Sequence, residues 1–94
     1  MNPICDAIRK RCLLEFVYDG RLRLVQPYCH GVTRKGLETL RAIQVGGESG
    51  GLGFGKLWTV SKMENLREST MSFVPADPNY NRDDTALVEI HCRV

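Results

Sequence analysis

The residues most able to do chemistry in this 94-residue chain are four cysteines, at 5, 12, 29 and 92, and two histidines. Each histidine adjoins a cysteine, in Cys29-His30 and His91-Cys92. Cysteine and histidine together point to a metal site of the zinc type. Neighbours on a strand face opposite ways, so only one member of each pair can line one site, and tetrahedral closure then needs ligands from elsewhere. No Cys-x-x-Cys pair occurs. The cysteines therefore read as small buried apolar side chains, with no metal site and no disulfide expected. The same adjacency keeps each Cys-His pair from acting as nucleophile and base, and the acids are scattered, so the chain reads as non-enzymatic. Gly50 to Gly55 followed by Lys56 opens like a phosphate-binding loop. Leu57 stands where a Ser or Thr should hold magnesium, and a strand pattern follows instead of a helix, so no nucleotide cofactor is expected.

The basic residues are the stronger lead. Net charge is only +2, but residues 1–62 carry ten Lys/Arg against five acids, and residues 63–94 carry three against six. Arg21 and Arg23 share one face of an expected strand, Arg41 and Lys62 lie on others, and Arg34-Lys35 sit at a turn. On a closed small barrel several of these could meet at one rim. Guanidinium forks suit phosphate and carboxylate, and the rings of Tyr28 and Trp58 could stack on bases. The plain alternative is an ordinary solvated strand face.

The elements that must position these groups begin with a helix over about residues 3–12. Asn2 is placed to cap it, Pro3 suits its first turn, and Ile4, Ala7, Ile8, Arg11 and Cys12 form its stripe. Period-two alternation follows, with Leu14, Phe16 and Tyr18 on one face. Asp19-Gly20 marks a tight hairpin. The return strand Arg21–Val25 sets Leu22 and Leu24 on one side and the two arginines on the other, and Pro27 ends or bends it. Tyr28 to Thr33 is extended, Arg34-Lys35-Gly36 turns, and Leu37 to Val45 is a strand. A glycine-rich loop precedes a strand over Lys56 to Met63, and Asn65 to Ser69 continues that strand or starts another. The segment about 70–86 is a linker dense in turn formers. The chain closes on a strand over 87–94, where Val88, Ile90, Cys92 and Val94 alternate with Glu89, His91 and Arg93.

The expected architecture is a single domain over 1–94, mainly β (α+β). The N-terminal helix packs on a small SH3-like or Sm-like antiparallel barrel of five to six strands, with its body over about 13–69. No stretch nears the ~20 apolar residues of a membrane helix, and no signal-peptide pattern appears. A cytoplasmic location is the resulting expectation.

Ordered segments of the chain resemble the WYL-domain family, bacterial modules mostly attached to winged-helix regulators. Residues 4–20 look like that family's opening helix and first strand, and Arg23-Leu24-Val25-Gln26-Pro27-Tyr28 matches its Arg-x-Val-x-Pro strand. Leu40 to Val45 sits where the naming tripeptide ends, with Glu38-Thr39-Leu40 in place of Trp-Tyr-Leu. Leu57 to Leu66 resembles the strand that usually reads Phe-x-Leu-Asp-Arg-Ile, with Ser61-Lys62-Met63 in its last three places. The resemblance spans about residues 4–68 and implies a short stand-alone member of small-barrel fold. It implies a ligand-sensing role in transcription regulation, with a nucleotide or single-stranded nucleic acid as ligand. By position, Arg23, Arg41 and Lys62 would hold that ligand, with His30 and Tyr28 beside them. A second expectation is a protein-interaction domain that pairs with a regulatory partner or a second copy through a barrel edge.

Overall fold

The computed structural model describes residues 3–47, 56–76, 80 and 82–94. The Asn2 cap, the glycine loop with its phosphate-loop pattern, and part of the 70–86 linker lie outside these residues. The helix, α1, spans Pro3–Lys10 and buries Ile4, Cys5, Ala7 and Ile8. It ends at Arg11, whose φ of 59° is left-handed, a conformation that breaks the helical repeat.

Six antiparallel strands follow: β1 (Cys12–Tyr18), β2 (Arg21–Val32), β3 (Glu38–Gly47), β4 (Lys56–Thr59), β5 (Glu64–Ser72) and β6 (Glu89–Arg93). The fold is mainly β with one short helix, as expected. Asp19 and Gly20 both have positive φ, 54° and 73°, which a tight two-residue hairpin of this hand requires. Gly36 likewise takes φ +81° in the next turn. Several segments differ from the sequence expectation: the helix expected over 3–12 ends at Lys10 with Cys12 already in β1, and the last strand, expected over 87–94, spans Glu89–Arg93. The strand at Lys56 stops at Thr59, because Val60–Lys62 coil into a 3-10 turn. Beyond it β5 runs on to Ser72, into what reads as linker.

The ladder runs β4-β3-β2-β1-β5, and β6 joins β2. β2 can hold three partners because it is long. β3 pairs along it from Arg23 to Val32. On the other edge β1 covers Arg21 to Val25, and β6 covers Cys29 to Val32. Pro27, which cannot donate to a ladder, marks the change: the β2–β3 register shifts between Pro27 and Cys29. Among the described residues β4 and β5 are not paired to each other, so the ladder is not a closed ring.

One core lies under α1. It gathers Ile4, Ala7, Ile8, Leu14, Phe16, Val25, Leu40, Ala42 and Trp58, with Val60, Met63 and Leu66 packed alongside. A smaller cluster of Leu13, Tyr28 and Phe73, with Tyr80 and Val94 against it, covers the other face of the sheet.

Candidate functional site

The expected basic rim does not assemble. Arg23 is buried at 6% exposure, facing the core instead of solvent. The hairpin turn is the reason. It sets Phe16 opposite Arg23, and directly paired residues share a face, so Arg23 follows Phe16 inward while Leu22 is exposed and Leu24 only half-buried. There its guanidinium donates to the Tyr18 carbonyl from Nε (3.2 Å) and Nη2 (3.0 Å), and to Gln44 Oε1 from Nη1 (3.3 Å). It also lies 5.5 Å from the centre of the Trp58 ring. Those bonds leave little of the fork for a ligand.

Arg41 faces the opposite side of the sheet, since it alternates with the core residues Leu40 and Ala42. It forms a two-pronged pair with Asp84, Nε to Oδ2 at 2.7 Å and Nη2 to Oδ1 at 3.1 Å. Burial alone would raise the Asp84 carboxyl, but the Arg41 hydrogen bonds, the Ala86 N–H and the Arg41 charge together hold it below the usual range. Lys62 stands exposed on the 3-10 turn. Tyr28 and Trp58 are each 2% exposed, too deep to stack on a base. Tyr28 packs between Phe73 and Tyr80, with ring centres 5.7 and 4.9 Å away.

His30, the remaining candidate, leads to a different site. It lies on β2 opposite Cys92 on β6 and Leu40 on β3. That register turns its ring inward, under α1, where Cys5 sits on the buried stripe. The expectation of no disulfide is corrected here: Cys5 and Cys92 are joined, with Cα atoms 5.6 Å apart. The fold brings the first helix and the last strand to the same point on β2, which no local spacing reveals.

The ring of His30 is fully buried. Its Nε2 is 2.6 Å from Glu38 Oε2, and its Nδ1 is 3.5 Å from Cys5 Sγ and 3.7 Å from Cys92 Sγ. An ionised carboxylate only accepts, so Glu38 assigns the proton to Nε2 and leaves the Nδ1 lone pair facing the sulfurs. Burial pushes His30 below the ordinary imidazole range, against the hydrogen bond and charge of Glu38, and the nearby His91 lowers it further. The ring is therefore neutral near pH 7. The oxidised sulfurs carry no hydrogen, so neither donates to Nδ1.

Of the other cysteines, Cys12 is half-buried and Cys29 is buried on the opposite face of β2. Burial and then the Asp84 charge push the Cys29 thiol up, outweighing Arg93, Arg41 and the Tyr80 hydrogen bond. Cys29 is thus held as an unreactive thiol. One member of each Cys-His adjacency, His30 and Cys92, comes to this cluster, where neither a disulfide nor a metal site is expected from the sequence. The third member of the cluster, Cys5, is concealed on a helix among apolar residues.

No family model, curated protein or solved structure matches this chain.

Proposed function

We propose that the chain is a non-enzymatic regulatory module whose working part is the Cys5–His30–Cys92 cluster, a thiol switch acting on the docking of β6. One observation carries this reading: a buried imidazole aims Nδ1 at both sulfurs, while its Nε2 lies 2.6 Å from Glu38 Oε2. A disulfide that served only as a staple would need no such group. Reduction supplies what Nδ1 lacks. A dithiol reductant transfers two electrons and two protons to the bond and leaves as its own cyclic disulfide. Each cysteine then carries a hydrogen, and one thiol can donate to Nδ1. Cutting the bond also removes the covalent tie between α1 and a strand of only five residues.

A WYL-like small barrel stays a proposal, with which the opening helix and the six-stranded antiparallel ladder are compatible. In it, Val60, Met63 and Leu66, which pack against the core, would close the space between β4 and β5. The anionic-ligand role tied to that resemblance would rest on Lys62, since Arg23 and Arg41 are engaged within the fold.

Hydrogen exchange on the oxidised and reduced chain tests the switch. After reduction every strand is expected to exchange faster as global stability falls, and the amides of residues 89–93 are expected to gain about tenfold beyond the rise seen in β1 and β3. A rise in β6 no greater than that in β1 and β3 would leave the disulfide without an output and defeat this reading.

A further inference from the structure

We propose that the reduced chain binds one zinc-type divalent ion through Cys5 Sγ, Cys92 Sγ and His30 Nδ1, with Glu38 holding the histidine in its ligating orientation. The inference rests on the cysteine pair being reducible, as proposed above, and adds the occupant of the opened site. The three ligand atoms lie within 4.8 Å of one another. Zinc bonds of ~2.3 Å to sulfur and ~2.0–2.1 Å to nitrogen at tetrahedral angles place nitrogen and sulfur about 3.6 Å apart. The structure has them at 3.5 and 3.7 Å. Only the two sulfurs must separate, to about 3.8 Å by the same geometry, and breaking their bond permits it.

The donor set also selects the ion. Two thiolates and an imidazole favour zinc and other soft or borderline metals over magnesium or calcium, which take oxygen ligands. Glu38 supplies the outer partner usual for a ligating histidine: it accepts from Nε2 and leaves Nδ1 free for the metal. Among the described residues the cluster provides three ligands, so a water or an incoming donor completes the tetrahedron. His91 stacks edge-on to His30 at 5.2 Å between ring centres but is not part of the ligand cluster. Binding is balanced by proton release: each thiol loses one proton, the ion takes up two thiolates, and His30 contributes its lone pair without losing a proton.

The test uses the full chain reduced with a water-soluble phosphine, which takes oxygen from water, becomes the phosphine oxide and leaves two thiols. Cobalt(II) is then titrated without air as a coloured stand-in for zinc. One cobalt per reduced chain is expected, with a thiolate-to-metal band in the near ultraviolet and tetrahedral bands in the visible, all bleached by zinc. The oxidised chain is expected to show none of these. Glu38→Gln, at a partly exposed position that threatens the fold little, should keep the bands but weaken binding about ten- to a hundredfold. Cys12→Ser should bind as the parent does. A reduced parent with native circular dichroism, two regained thiols by mass and no thiolate band would overturn the metal site and leave the thiol switch standing. Undiminished affinity in Glu38→Gln would remove Glu38 from the inference. A disulfide that the phosphine cannot open in the folded chain would defeat both proposals.

Discussion

At the residue scale, charge is a poor guide to direction. Arg23 reads as a solvent-facing cation, yet the Tyr18 carbonyl, Gln44 and the Trp58 ring make a polar and aromatic berth for it inside the fold. The sequence shows a buried arginine only once its cross-strand partner is known, and Phe16 becomes that partner through the hairpin register. Arg41 is misread for another reason: its acid, Asp84, is 43 residues away, and nothing local links them. That pair has a consequence in acid. Because Asp84 titrates below its ordinary value when folded, the unfolded chain takes up its proton first as pH falls. The stability it contributes is complete above the ordinary aspartate range, declines as pH drops through it, and is gone below the depressed folded value. Urea midpoints measured from pH 6 down to pH 2.5 should show a shallower acid decline in Asp84→Asn than in the parent, from a lower starting stability.

At the element scale, most of the chain was legible because its signals are local. Asp19-Gly20, Gly36 and the alternation around Leu40 and Ala42 each act within a few residues, and the structure has a turn, a turn and a strand there. β4 was less legible, since Val60 and Met63 continue an apolar pattern that a strand and a 3-10 turn can both satisfy. The joint between β2 and β6 was not legible at all. It depends on Gly31, where an added Cβ would drive into the backbone carbonyl of Glu89. Gly31 sits within the Cys29–Val32 stretch that pairs with β6. Gly31→Ala should therefore loosen β6 selectively and destabilise the chain by about 1–3 kcal/mol, the usual range for forced overpacking. Chemical denaturation would give the loss, and amide exchange of residues 89–93 would show where it falls. Uniform protection across the sheet would contradict that account.

At the scale of the whole molecule, the disulfide joins residues separated by 87 positions, so it closes a loop that is nearly the whole chain. Cross-linking of this kind restricts the unfolded ensemble, and removing a native bond from a small domain costs about 2–5 kcal/mol. Cys92→Ser, or reduction of the parent, should lower the stability derived from denaturant midpoints by that amount, while Cys12→Ser should change it much less. The long separation also explains why the site was hidden in the sequence. Spacing motifs report ligands that are near in the chain, whereas this cluster is a product of topology: a helix at one end, a strand at the other, and the middle of β2 between them.

The placement of that bond sets how the molecule responds to tension. A pull on the chain beyond Cys92 first strips Arg93 and Val94 from β2 and then reaches the sulfur bridge, which passes it to Cys5 with the rest of β6 unloaded. Oxidised, the protein transmits force as a short inextensible link; reduced, the same force falls on the few backbone hydrogen bonds that seat β6, and the strand peels away from its end.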